Sequence, residues 1–213
     1  MIFFDIETVP AYGSFDKVPK VFQKLWEYKV RKREEDPKDI YPEAGLYPEF
    51  GKIVCISAGF IHKGDLRVKS FTGKEVDLLN GFAATVRGDT ALCGHNIKGF
   101  DIPYVAKRMM INNISIPSCF DMRGKKPWEI PHYDTMEVWK FGGYEHTSLD
   151  LLTNILGIKS PKDDIKGSDV YKVFYKDNDI KRIAEYCEKD VLAVANVYQR
   201  LNGYDLIKKM ITV

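Results

Sequence analysis

The chain opens on Met1-Ile2-Phe3-Phe4-Asp5-Ile6-Glu7-Thr8, and these eight residues limit the fold more than any other stretch. Ile2 to Phe4 is an apolar run of the kind found in a strand covered on both faces, at the centre of an α/β sheet. On such a strand Asp5 and Glu7 share one face while Ile6 points to the other. Two like charges that close repel, and burying them is costly unless something compensates. A hard divalent cation, Mg²⁺ or Mn²⁺, compensates through carboxylate oxygen. The other reading is a strand end with two solvated acids.

Length and composition narrow the class. The 213 residues suffice for one domain with a sizeable core, and no linker divides them. Hydrophobic residues make up 45% and charged residues 29%, which places the chain among soluble globular proteins. No apolar run approaches the ~20 residues that span a bilayer. Asp5 and Glu7 interrupt the apolar start, which argues against a signal peptide. A soluble, cytoplasmic protein without a membrane partner is expected. Cys55, Cys93, Cys119 and Cys187 form no CxxC pair and read as buried free thiols. The net charge of +2 means that a nucleic-acid partner needs a local basic patch.

Along the chain, Pro10, Gly13 and Pro19 follow the first strand as breakers. Lys20 to Glu35 reads as a helix with Val21, Leu25, Tyr28 and Trp26 as its apolar stripe. Its basic tail, Lys29 to Arg33, suits a helix C-terminus, with a substrate-facing rim as the alternative. Residues 36–51 are rich in Pro and Gly, so 11–50 form a long insertion between the first two strands. A lid is one reading of it and decoration another. Ile53–Ile61 and Leu66–Phe71 are predicted strands of a hairpin. Lys74–Arg87 has helical spacing, Ala91–Cys93 is a short buried strand, and Ile102–Ile111 is a helix that admits Pro103 in its first turn. Weak strand character falls at Cys119–Met122. Asp134–Phe141, Leu149–Leu156 and Ile180–Leu201 are predicted helices, the second closed by Gly157. This pattern suggests a mixed sheet with helices on both faces.

Two later segments bear on Asp5 and Glu7. In Gly94-His95-Asn96-Ile97-Lys98-Gly99-Phe100-Asp101 the glycines allow tight turns ahead of a helix. Asp101 has the position of an N-cap and Asn96 that of a turn residue. In Tyr186-Cys187-Glu188-Lys189-Asp190, Tyr186 and Asp190 stack on one helical face. A core aromatic with a surface acid is one reading, a metal ligand with a water-holding phenol the other. Lys98, Lys107, Arg108, Arg123, Lys125 and Lys126 outnumber Asp101 and Asp121 over residues 98–126. With Trp128 and Tyr133 they read as a backbone track with stacking aromatics, or as a scattered solvated surface.

Taken in order, D-x-E on an opening strand, N-x₃-F-D, and Y-x₃-D on a late helix resemble the DEDD exonuclease superfamily, in its Tyr-containing subgroup. The wording is most similar to the proofreading exonuclease domain of family B DNA polymerases and to the stand-alone exonucleases related to it, over residues 2 to about 201. The resemblance implies a ribonuclease H-like α/β fold with a five-stranded mixed sheet flanked by helices. It implies that Asp5, Glu7, Asp101 and Asp190 ligate two divalent cations, that Tyr186 orients the attacking water, and that Thr8, Asn96 and Phe100 meet the substrate, a plain core role being the other reading of Phe100. The implied activity is 3′–5′ hydrolysis of single-stranded DNA at its 3′ end, releasing nucleoside 5′-monophosphates. RNA is the rival substrate, because Tyr-containing DEDD ribonucleases share this core. An inert nucleic-acid-binding module is the reading from another class.

Overall fold

The apolar run at the chain start forms the central strand of the sheet. The computed structural model describes residues 1–86, 88, 90–160 and 164–213. Among these residues six strands, β1 (Ile2–Pro10), β2 (Gly51–His62), β3 (Asp65–Thr72), β4 (Leu92–Gly94), β5 (Tyr133–Asp134) and β6 (Met210–Thr212), lie in the order β5-β4-β1-β2-β3-β6. The first three form an antiparallel meander, and β4, β5 and β6 join by parallel pairing. The β2–β3 turn needs positive φ at both Lys63 (53°) and Gly64 (86°), the geometry that matches strand twist in a two-residue hairpin.

Among the described residues, seven α-helices accompany the sheet: α1 (Lys20–Val30), α2 (Glu75–Ala83), α3 (Asp101–Ile111), α4 (Thr135–Trp139), α5 (Leu149–Ile155), α6 (Val170–Lys172) and α7 (Ile180–Leu201). Strand alternation sorts the core into two layers. Phe4, Ile6, Ile53 and Ile56 pack against α2 and α3 on one face. Phe3, Val9, Cys55 and Val68 pack against α7 on the other. No described helix is long and apolar enough to cross a membrane.

The fold is α/β and ribonuclease H-like as expected, with six strands in place of five. The added edge strand β6 is three residues long, too short to show a period. It is tied down by Thr212, whose hydroxyl donates to Glu188 on α7 at 3.1 Å. Cys119–Met122 is not a strand: Ser118–Phe120 form a single helical turn that sinks Cys119 and Phe120 into the core. The predicted end of the second helix, Arg87, lies outside the described residues. All four cysteines are buried and free.

The largest correction concerns α1. It stops at Val30, and its buried face is Gln23, Trp26 and Val30; Val21, Leu25 and Tyr28 are exposed. The cause is the partner it packs on. Instead of the sheet, α1 covers a small core made by its own insertion, where Trp26 meets Tyr41, Tyr47 and Phe50 ring to ring. The Trp26 indole nitrogen donates to the Pro37 carbonyl at 2.7 Å. The basic tail is spent locally: Lys29 lies over the Tyr47 ring, Arg31 over Tyr28, and Arg33 pairs with Glu35 and Glu43.

Candidate active site

Alternation along β1 turns its odd-numbered side chains, Phe3 to Val9, toward α7, so Asp5 and Glu7 face the helix that carries Tyr186 and Asp190. Opposite them, the β1–β2 register shifts after Glu7, where Thr8 pairs with Ile53 rather than Val54. This bulge puts Val54 and Cys55, consecutive residues, into the same α7-side cluster. Bulges of this kind re-aim side chains beside sites. On the far edge, β4 pairs with β1 only at Ile2 and Phe3. The edge beyond is open, and the Ile6 amide there bonds the carboxylate of Asp101 at the start of α3.

Asp5 is half-buried, while Glu7, Asp101, Asp190 and Tyr186 are buried. Burial first, then the charges of Asp190, Asp101 and Glu7, hold the Asp5 carboxyl well above its ordinary value. Burial, Asp190, Cys55 and Asp101 do the same to Glu7. Asp101 is also pushed well up, mainly by burial, although its own amide and that of Ile6 pull it back. Burial and the acids Asp190, Glu7 and Asp5 raise the Tyr186 phenol, which therefore stays protonated and hydrogen-bonds to Asp190. Asp190 is thus not a surface acid.

This donor set fits a hard divalent cation. Neighbouring acids, not cations, are the main charges acting on Asp5, Glu7 and Asp101. Ligand atoms of Asp5, Glu7 and Cys187 all lie within 4.8 Å of one another. The Cys187 thiol is pushed well up by burial, so it acts as a donor, 3.4 Å from the Asp5 carbonyl and 3.5 Å from its Oδ2. Carboxylate oxygen is the donor that hard cations such as Mg²⁺ and Mn²⁺ prefer.

The loop before α3 is set by backbone geometry. Asn96 adopts a left-handed φ of 62°, and a Cβ on Gly99 would sit 2.5 Å from its side-chain oxygen. Asp134, which sequence reasoning overlooked, holds this loop. Its carboxylate accepts from the amides of Asn96 (3.0 Å) and Lys98 (3.1 Å) while capping α4 through Met136 and Glu137. Asp134-Thr135-Met136-Glu137 carries an acidic cap with Glu three residues on, a helix-start signal that was there to be read. Asp101 is not the cap of α3; that position is Phe100. Thr8 and Phe100 line a cavity of about 400 Å³ beside Glu7.

Of the six basic residues of the expected track, four are paired within the chain. Arg108 is half-buried against Glu75, Lys98 pairs with Glu137, Lys107 with Glu49, and Arg123 with Asp121. Tyr133 packs on Tyr198 and accepts from Asn202, while Trp128 stands exposed under Lys126.

Residues 46–208 match the model of a family described as a predicted 3′–5′ exonuclease related to the exonuclease domain of PolB. A DNA polymerase of Red sea bream iridovirus is 28% identical over 161 residues, which is 64% of this chain. The match spans only 16% of that polymerase's length.

Proposed function

Because the chain belongs to the family of predicted 3′–5′ exonucleases related to the exonuclease domain of PolB, a nuclease-type hydrolase, we propose that residues 1–213 act as one unit that hydrolyses single-stranded DNA from its 3′ end. The observation that carries this reading is the convergence of Asp5, Glu7, Asp101 and Asp190 with Tyr186, beside a cavity. The four carboxylates would hold two Mg²⁺ or Mn²⁺ ions. When bound, such ions supply positive charge that favours deprotonation of water and steadies the departing 3′ oxygen.

The residues divide the remaining work. Water adds to the terminal phosphorus, the bond from phosphorus to the penultimate 3′ oxygen breaks, and that oxygen takes up a proton. The products are a nucleoside 5′-monophosphate and a strand one residue shorter. Tyr186, protonated and fixed to Asp190, orients the water rather than removing its proton. Thr8, Asn96 and Phe100 meet the terminal nucleotide. The test is digestion of 5′-labelled DNA and matched RNA with Mn²⁺, Mg²⁺ or EDTA. A ladder that shortens from the 3′ end of DNA, and only with metal, is expected. Internal cuts, faster loss of RNA, or no hydrolysis would overturn the reading.

A further inference from the structure

Helix α1 carries its apolar stripe on the outside. The helical period sets Val21, Leu25 and Tyr28 along one line, about 10 Å from first to last, and places the buried Gln23, Trp26 and Val30 on the opposite side. Val21, Leu25 and Tyr28 expose 68%, 49% and 65% of their surface, and Phe22 beside them 45%. Single apolar side chains on a surface are ordinary. Four adjoining ones on two turns of one helix mark an interaction surface.

The stripe cannot turn inward. Gln23 Nε2 donates to the carbonyls of Phe15 at 3.1 Å and Val18 at 2.9 Å, and Trp26 sits among Tyr41, Tyr47 and Phe50. Rolling α1 to bury Leu25 would break those bonds and expose the indole. A partner therefore meets a surface that is already ordered, which lowers the cost of binding it.

Charge selects the partner. Lys20, Lys24 and Arg31 fall along one side of the stripe and Lys29 along the other, with Lys32 just beyond the helix. Among the described residues, none of these five forms a salt bridge with a carboxylate. Lys20 bonds the Gln23 amide oxygen, while Lys29 and Arg31 rest on the rings of Tyr47 and Tyr28, so their charge stays uncancelled. Glu27 is the one acid of the helix. A second copy of α1 would bring like charges together. A nucleic-acid strand needs open ring faces, but Arg31 covers Tyr28 at 3.8 Å, and Val21 and Leu25 are aliphatic. A membrane holds a helix in proportion to the apolar area buried, and two turns offer little. A helix with an apolar ridge flanked by acids matches both the stripe and its rim.

We propose that the outer face of α1 docks an acidic amphipathic helix of a partner protein. Apolar side chains of that helix seat on Val21, Leu25 and Tyr28, and its carboxylates meet Lys20, Lys24 and Lys29. Helix α1 lies ahead of residues 46–208, which match the exonuclease family, so this surface belongs to the insertion and does not rest on the exonuclease reading.

The probe is a fluorescein-labelled peptide of about three heptads, with Leu at a and d and Glu at e and g, which keeps it from pairing with itself. A second peptide carries Lys in place of Glu. Fluorescence anisotropy on the full chain should show binding of the acidic peptide and not of the basic one. Val21→Ser and Leu25→Ser should each weaken it about tenfold, the worth of one central contact. The double variant Lys20→Glu/Lys24→Glu should lose the acidic peptide and gain the basic one. Unchanged melting temperatures separate these effects from misfolding. No binding of the acidic peptide up to about 1 mM, equal binding of both peptides, or indifference to all the α1 variants would overturn the proposal. So would α1-dependent binding of oligothymidylate or phosphatidylglycerol vesicles in place of the peptide, or an α1-dependent dimer in sedimentation.

Discussion

At the scale of the residue, the spacing of the acids was legible because it is local. Two residues on a strand and four on a helix each fix a shared face, whatever the rest of the chain does. What spacing could not show is what stands next to those side chains. Cys187, between Tyr186 and Glu188, reaches Asp5 from 182 residues away. Tyr186→Phe isolates one such contact, because it keeps the ring and deletes the hydroxyl that bonds Asp190. Single-turnover cleavage at saturating Mn²⁺ should slow about 10²-fold, the worth of one positioned group, with KM almost unchanged. Full rate in this variant would reduce the phenol to packing.

At the scale of the element, periodic segments were readable and capped or tethered ones were not. The long helix α7 runs from Ile180 to Leu201 as its pattern predicts, since one face meets the sheet along its length. The stripe of α1 misled because burial there is decided by the insertion's aromatic cluster, which no helical period reports. Arg108 misled for a similar reason: charge in sequence says nothing of Glu75, 33 residues away, which it meets at 2.8 Å. Arg108→Ala should therefore act on stability, not on substrate. It leaves Glu75 half-satisfied in a largely buried place, at a cost of roughly 3–5 kcal/mol. A urea melt should show that loss, while the salt dependence of DNA binding stays as in wild type. Asp134→Ala frees four amides at the junction of α4 and the Asn96 loop. A loss of about 1–3 kcal/mol is expected, together with slower cleavage, and Asp134→Asn should recover part of both. Wild-type cleavage by Asp134→Ala would separate the loop from the site.

At the scale of the whole molecule, the acid quartet opposes the fold that assembles it. An acid whose folded pKa is raised stabilises the fold while it is protonated, and that contribution is lost as pH climbs through the raised value. In EDTA, then, the melting temperature should fall as pH rises from the ordinary carboxylate range toward neutrality. Millimolar Mn²⁺ should remove that fall, because a ligand of the native state stabilises it by mass action. Identical melts with EDTA and Mn²⁺ at neutral pH would count against a preformed cation site. The layering also has a consequence in time. Asp5 and Glu7 leave the ribosome with the first strand, and Asp190 follows only with the last long helix. At about 5–20 residues per second, synthesis of the stretch between them takes on the order of ten seconds or more. Throughout that interval the growing chain lacks one of the four acids of the proposed site, so on the proposed reading cleavage of nearby nucleic acid waits for the last long helix.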